Sequence, residues 1–149
     1  MKKIVVIDGQ GGKLGRLVIE RLISHSEETS STEIPFKITA VGTNSIAAAT
    51  MLKAGAHDCA TGENSVIVNC RDANVVIGPI GIVVADALHG EVTAVMAAAV
   101  GACKAQKILL PVTRCRVVIA GTTPLSASEL VDMAVQKVLG LLYGESSIL

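Results

Sequence analysis

The sequence predicts an α/β protein with a Rossmann-like fold, a three-layer sandwich in which a mostly parallel sheet of about six strands lies between helices. Short runs rich in β-branched residues alternate with longer segments of helical periodicity, which is the pattern of a parallel sheet with crossover helices. Glycine follows most of these runs, as expected where a buried strand ends. The 149 residues, half of them hydrophobic, suffice for one domain with its own core. We therefore expect residues 1–149 to form a single domain.

Each element is predicted from its own pattern. Ile4–Asp8 is a short and almost entirely apolar run before a glycine cluster, which is typical of a buried strand. The segment from Lys13 to about His25 places its leucines and Val18 on one helical face, and the polar segment Ser24–Thr32 indicates a surface loop. The further predicted elements are strands at Phe36–Val41, His57–Ala60, Val75–Ile77, Ile108–Leu110 and Arg116–Ala120, and helices at Ser45–Ala54, Glu63–Arg71, Ile80–Leu88, Glu91–Gln106 and Ser126–Tyr143.

Signals at the ends of these elements refine the prediction. Gly55 is the expected cap of the second helix, and Gly144 is that of the last. Ser126 and Glu129 have the spacing of a capping box. The loop Val112–Cys115 is too short for a crossover helix, so the last strand is expected to lie antiparallel to its neighbour.

The composition excludes several classes of protein. A chain that is half hydrophobic is not disordered. The formal net charge is zero and the chain has one Phe, one Tyr and no Trp, which disfavours nucleic-acid binding. No apolar run reaches the roughly 18 residues of a membrane span. Met1-Lys2-Lys3 leads into only four apolar residues, too few for a signal peptide. We expect a cytoplasmic protein that binds neither nucleic acid nor a membrane.

The four cysteines, Cys59, Cys70, Cys103 and Cys115, are widely spaced and form no C-x-x-C pair. Without an export signal, they are expected to be reduced and buried as small hydrophobic side chains. The alternative is a metal site at His57 and Cys59, for which two neighbouring ligands without a second pair are weak support.

A glycine-rich loop between the first strand and the first helix is the main candidate for a binding site. Gly9, Gly12 and Gly15 have the spacing G-x-x-G-x-x-G, which resembles the loop of the extended short-chain dehydrogenases. Such glycines permit the tight turn, the approach of phosphate and the packing of helix on strand. Phosphate would lie at the helix N-terminus, where free N–H groups and the helix dipole favour an anion. The predicted binding residues of this loop are Gly9, Gln10, Gly11, Gly12, Lys13 and Gly15.

Two departures separate the chain from a dehydrogenase. The acid expected after the second strand for ribose hydroxyls is replaced by Gly42-Thr43-Asn44, and no Arg stands there for NADP. The single tyrosine, Tyr143, is followed four residues later by Ser147 and not by the lysine of those enzymes. A P-loop is excluded because Leu14 follows Lys13. The candidate ligands are therefore NAD, NADP, a mononucleotide or a phosphorylated metabolite. The alternative is that the glycines serve packing alone and bind no ligand.

The other strand ends are expected to meet the glycine loop at one rim, because parallel strands place their carboxyl ends at the same edge. The rim residues selected as further binding residues are Thr43, Asn44, Gly78, Pro79 and Gly81. The complete predicted rim consists of Asp8-Gly9, Gly42-Thr43-Asn44, Thr61-Gly62-Glu63-Asn64, Gly78-Pro79-Ile80-Gly81 and Thr113-Arg114-Cys115.

Several polar residues have two interpretations each. Asn44 and Asn64 fit ordinary helix caps as well as ligand contacts. Arg71-Asp72 fits a surface turn. Asp86 either lies at the wet edge of its helix or points into the site or a subunit contact, and Arg114 is either solvated or pairs with a phosphate or carboxylate.

A helix break at Gly90 is flanked by His89 and Glu91. A general acid–base pair is one interpretation of these two side chains, and an ordinary break between two helices is the other.

Four segments resemble a small bacterial family of uncharacterised proteins, a domain of unknown function. They are Gly42–Ala47, Met51–Ala56, Thr61–Asn64 and Ile77–Leu88, and the similarity covers about residues 1–120. The resemblance implies a Rossmann-like fold, and it supplies neither a reaction nor catalytic residues.

Two helices are more apolar than a monomer of this size requires. The segment Val92–Val100 is apolar on all sides, and Leu130–Leu142 is strongly apolar. Such helices are buried in the core or against another chain, so we expect a homodimer or a larger homo-oligomer.

Three functions are compatible with these observations. The first is a protein that binds a nucleotide or phosphate ligand at the glycine loop, with or without catalysis; it predicts that Gly12→Val abolishes binding and preserves the fold. The second is a non-catalytic oligomeric regulatory module for a small anion, and the third is a purely structural protein. The glycine loop favours the first.

Overall fold

The computed structural model describes residues 1–28, 36–112 and 116–144. The elements in chain order are β1 (Lys2–Asp8), α1 (Lys13–Glu28), β2 (Phe36–Gly42), α2 (Ser45–Lys53), β3 (Asp58–Thr61), α3 (Glu63–Cys70), β4 (Val75–Pro79), a 3₁₀ helix (Ile80–Val83), α4 (Ala94–Ala102), β5 (Gln106–Leu110) and α5 (Ala127–Tyr143).

The five strands form one parallel sheet in the order β3-β2-β1-β4-β5. The chain winds outward from β1 to β3 and then crosses to the other side of β1 to place β4 and β5. This reversal between β1 and β4 is the topological switch point, outside which ligands bind in open α/β sheets. The predicted Rossmann-like three-layer fold is confirmed.

Residues on alternate sides of β1 belong to two separate parts of the core. Ile4 and Val6 pack with α1, α2 and α5, whereas Val5 and Ile7 pack with α3 and α4. All four side chains are fully buried or nearly so. The continuous apolar run that predicted a buried strand therefore reflects helices on both faces of the sheet.

The expected sixth strand, Arg116–Ala120, is not a strand. The segment pairs with no strand of the sheet, and Val118 is 95% exposed, whereas Val117 and Ile119 are only half-buried. Strand propensity without such a partner does not hold a segment in a sheet. The expected antiparallel pairing is therefore wrong for the described residues, in which every strand pair is parallel.

The predicted helix Ile80–Leu88 is only one 3₁₀ turn, Ile80–Val83, followed by turns. The next helix begins at Ala94, where the Thr93 hydroxyl accepts a hydrogen bond from the Met96 N–H, and not at Glu91. Three non-glycine residues with positive φ explain the interruption, since the left-handed conformation does not continue a helix. They are Asp86, Leu88 and His89.

The ends of the other helices lie close to their predicted positions. Helix α1 extends to Glu28, into the segment expected as a loop. Helix α2 ends at Lys53, and Gly55 follows its cap residue with a φ of +111°. The capping box of Ser126 and Glu129 is present, and Gly144 ends α5 in the left-handed conformation.

Candidate functional site

The three glycines of the G-x-x-G-x-x-G loop are required by close packing. A Cβ atom at Gly9 would lie 2.5 Å from the Thr43 Oγ1 atom, and one at Gly12 would lie 2.8 Å from the backbone of Ala47. A Cβ at Gly15 would collide with the Sδ atom of Met51. Gly12 also has a φ of +70°, which favours glycine. The packing interpretation thus accounts for all three positions.

Gly11 is the one glycine of this loop with open space. A Cβ there would meet nothing nearer than the Lys13 side chain at 3.9 Å, and its φ is not in the left-handed region. The structure therefore contradicts the expectation that Gly12→Val preserves the fold. Gly11 is the position at which a side chain can be added without disturbing the loop.

The Asp8 carboxylate holds the loop against β1 from the buried side. Asp8 is 5% exposed, and it accepts hydrogen bonds from the N–H groups of Gly9 and Gly15, both at 2.8 Å. Burial raises the pKa of Asp8 above its ordinary value, although the N–H groups of Gly15 and Gly9 oppose this and the Glu91 carboxylate adds to it. The N–H groups of Gly9 and Gly15 are thus already used by the Asp8 carboxylate and are not available to a ligand.

A second carboxylate, that of Glu91, lies above the same loop. It accepts hydrogen bonds from the Thr43 hydroxyl at 2.9 Å and the Gln10 N–H at 3.1 Å, and from the side-chain amides of Gln10 and Asn44. We call these four residues the Glu91 clamp. Partial burial acts to raise the pKa of Glu91, but the four hydrogen bonds outweigh it and the pKa lies below its ordinary value. Glu91 is therefore ionised at neutral pH.

Backbone strain occurs both within the Glu91 clamp and in the segment that leads to Glu91. Gln10 has a φ of +52°, and Leu88 and His89 have φ values of +55° and +58°. The Gln10 side chain donates a further hydrogen bond to the Leu88 carbonyl at 3.2 Å, which joins the two strained segments. Non-glycine residues in this conformation persist only where the surroundings fix them, and they cluster at functional sites.

A cleft of about 480 Å³ opens on the other side of the glycine loop, at the switch point between β1 and β4. This volume lies within the range of small-molecule sites. Lys13 is the cation among the described lining residues, and no hydrogen bond within the described ranges uses the N–H groups of Gly11 or Lys13. The lining residues are Asp8, Gly9, Gln10, Gly11, Gly12, Lys13, Leu14, Leu17, Pro79, Leu88, Val112 and Ala127.

The predicted binding residues separate into three groups. Those lining the cleft are Gly9, Gln10, Gly11, Gly12, Lys13 and Pro79. Thr43 and Asn44 belong to the Glu91 clamp and lie outside the lining. Gly15, Gly78 and Gly81 are buried packing positions, and a Cβ at Gly78 would collide with the Ile7 carbonyl oxygen.

Two predicted roles near the rim have opposite outcomes. Asn44 is the cap of α2, since its side chain accepts a hydrogen bond from the Ala47 N–H at 2.8 Å. Asn64 is exposed inside α3, whose cap residue is Gly62. Thr113-Arg114-Cys115 lies outside the described residues.

The role of Glu91 was missed by the sequence analysis. The sequence suggested Glu91 only as a partner of His89, whose side chain is exposed. The Glu91 carboxylate instead forms hydrogen bonds with three residues that lie more than 45 positions away in the chain. One feature of the sequence could have indicated it. Gly42-Thr43-Asn44 contains no acid, so its hydroxyl and amide groups can donate hydrogen bonds to an acid from a distant part of the chain.

Asp86, a further rim candidate, is exposed at a turn.

The remaining polar candidates lie away from the cleft lining. Asp72 is exposed and pairs with Lys3 at 2.6 Å, as a surface turn predicts. The ring of His57 accepts a hydrogen bond from the Ile38 N–H at 3.1 Å, and the described residues contain no cluster of three or more metal-ligating side chains. Cys59 is exposed, contrary to prediction.

No helix among the described residues is long and apolar enough to cross a membrane.

Comparison with known proteins identifies a family for this chain but no individual similar protein. A search of curated proteins found no match, and neither did a search of solved structures. A family model described as "Domain of unknown function (DUF3842)" matches residues 3–142. Since this match covers most of the chain, the protein belongs to the DUF3842 family.

Proposed function

We propose that this protein binds a nucleotide or another phosphate-bearing small molecule in the cleft between the ends of β1 and β4. The observation that carries the proposal is the cleft itself, which lies at the switch point of the sheet and is bordered by the glycine loop. A packing role explains three glycines of this loop, but it does not explain why Gly11 lies open against the cleft.

The two ends of the cleft suit the two parts of such a ligand. Gly11 and Lys13 offer N–H groups and an ammonium group at the start of α1, where the helix dipole favours an anion. Leu14, Leu17 and Val112 form an apolar wall that suits a base or a carbon skeleton. The phosphate is therefore assigned to the loop and the remainder of the ligand to the wall.

A regulatory module without catalysis is the second candidate, and the lining residues favour it. Among the described residues of the cleft, no Ser, Cys, His or Tyr side chain is present to act as a nucleophile or base. The Asp8 carboxylate faces the N–H groups of its own loop and not a free base position. Binding without turnover would support this candidate, whereas turnover of a phosphate ester would contradict it.

The test is a titration of the ¹⁵N-labelled protein with inorganic phosphate and, separately, with AMP, followed by amide chemical shifts. We expect saturable shifts at Gly11 and Lys13. Gly11→Val should weaken AMP binding at least tenfold with the fold intact, because its side chain enters the cleft.

Gly101→Val is the matched control, since Gly101 also has open space around it and lies on α4, outside the cleft lining. This variant should bind AMP as the unmodified protein does. If neither probe shifts these amides at millimolar concentration, the proposal is wrong.

We also propose that the protein acts as a homodimer in the bacterial cytoplasm. Val68 on α3 and Val95 on α4 are about half exposed on helices that pack against each other, which supports association through this face. Free thiols at Cys59, Cys70 and Cys103 suit a reducing compartment.

A further inference from the structure

We infer that Glu91 is a specificity-determining residue, which closes the β1/β2 half of the crevice so that the site takes a mononucleotide or a smaller phosphate compound and rejects dinucleotides such as NAD. This inference rests on the proposed function, because it concerns the ligand of the same cleft. It adds the size class of the ligand and names the residue that sets it.

In a dinucleotide-binding fold, the ligand crosses the ends of the central strands, and an acid after β2 binds its ribose. Here the space above Gly9, across which the ligand would run toward β2, is filled by the chain itself. A Cβ at Gly9 would lie 2.5 Å from Thr43 Oγ1, 2.7 Å from Leu88 Cδ1 and 3.3 Å from a Glu91 carboxylate oxygen. The open cleft is confined to the β1/β4 side.

The Glu91 carboxylate does not replace the missing ribose acid. A carboxylate has about four acceptor positions, and Glu91 already receives four hydrogen bonds from Gln10, Thr43 and Asn44. Three of these hydrogen bonds go to Oε1 and one to Oε2, so a ribose hydroxyl would have to compete with the chain's own donors for this carboxylate. The ionised group also places a negative charge above Gly9 and thus opposes a pyrophosphate that would cross there toward β2.

The segment that carries Glu91 is held in place from both sides. The Asp86 N–H donates to the Val92 carbonyl at 2.8 Å, which closes the segment on itself. Leu88 and His89 then adopt the left-handed conformation that presents Glu91 to Gln10, itself left-handed. Gln10 and Leu88, which both have a positive φ, are joined by the hydrogen bond from the Gln10 side chain to the Leu88 carbonyl, and this indicates that the surrounding structure fixes the closed arrangement.

The experiment compares the affinities for AMP and NAD, measured by calorimetry and by amide shifts, in the unmodified protein and in Glu91→Ala. The unmodified protein should bind AMP at least tenfold more tightly than NAD. Glu91→Ala should raise the affinity for NAD at least tenfold, with new shifts at Thr43 and Asn44, and change the affinity for AMP much less.

Two further variants and a control separate the causes. Glu91→Gln fills the same space without the charge, so it should raise NAD affinity less than Glu91→Ala does. Leu88→Ala opens space above Gly9 with the carboxylate retained, and it serves as the test if Glu91→Ala fails to fold. Glu27→Ala removes an exposed carboxylate from the far end of α1 and should change neither affinity.

Equal affinities for AMP and NAD in the unmodified protein would overturn this inference and leave the proposed function intact. NAD affinities that stay low in both Glu91→Ala and Leu88→Ala would also overturn it. Absence of binding by inorganic phosphate and AMP would instead refute the proposed function, and with it the ligand assignment made here.

Discussion

In the part of the chain that the structure describes, left-handed residues other than glycine are concentrated in one place. Gln10 belongs to the Glu91 clamp, Leu88 and His89 directly precede Gly90 and Glu91 in the chain, and Asp86 lies slightly further from it. Each such residue costs free energy relative to glycine, because its Cβ atom crowds the backbone. At the edge of the candidate site, the sequence therefore has residues other than glycine at positions where the backbone conformation favours glycine.

His89→Gly tests this cost at an exposed position. His89 has a φ of +58°, and its side chain is exposed, so the change should relieve strain without removing packing. We expect the free energy of unfolding to rise by about 0.5–1 kcal/mol. Urea denaturation of the variant and the unmodified protein measures this difference in the free energy of unfolding. A loss of stability would show that the imidazole makes a contact whose contribution exceeds the backbone strain.

Thiol reactivity also belongs to the residue scale. Burial raises the pKa of Cys70 to about 12, with the neighbouring Cys103 thiol adding to it, whereas Cys59 is exposed. Since the thiolate is the reactive form, iodoacetamide at pH 8 should label Cys59 first and Cys70 last among the three cysteines in the described ranges. Peptide mass spectrometry after timed quenching gives the order, and prior unfolding in guanidinium should remove the difference between the two.

At the scale of elements, the end of β1 and the segment before α4 each carry a carboxylate with a shifted pKa, those of Asp8 and Glu91. The folded pKa of Glu91 lies below 4.5, so its stabilisation is fully present above pH 4.5 and is lost as pH falls through the folded value. The folded pKa of Asp8 lies above 3.8, so its contribution is greatest below pH 3.8 and is lost as pH rises through the folded value.

Glu91→Gln should therefore destabilise the protein in a pH-dependent manner. We expect a loss of about 1 kcal/mol at pH 7, because an amide replaces a carboxylate as hydrogen-bond acceptor. The difference from the unmodified protein should shrink below pH 4.5. Denaturant titrations at pH 7 and in acid measure this, and a difference that grows in acid would contradict the assigned direction of the Glu91 pKa.

Local patterns predicted most elements of the fold, because periodicity and capping residues act within a few positions of the chain. The buried strand at Ile4–Asp8 and the capping box at Ser126 are examples. Arg116–Ala120 failed because a strand also needs a neighbour, which no local pattern specifies. Glu91 was missed for the same reason, since its partners Gln10 and Thr43 are distant in sequence.

On the scale of the whole molecule, the homodimer remains a prediction. Sedimentation velocity should show one species of twice the 15.3 kDa chain mass. Val95→Glu should convert it to the single-chain mass, because Val95 is half exposed on the proposed α3/α4 face. Val118→Glu is the control, since Val118 is more exposed but lies outside both helices, and a single-chain species in the unmodified protein would refute the dimer.

The position of β1 has a consequence for how the chain acquires its structure. Strand β1 is made before the other four strands of this sheet, yet Ile4 pairs with Ile38 on one side and with Val75 on the other. Its second edge therefore stays uncovered until β4 has been made. Parallel pairings over such separations form slowly, and an apolar edge that waits for its partner is prone to aggregate. Conditions that slow synthesis of the β4 region should thus lower the yield of folded protein more than they lower its final stability.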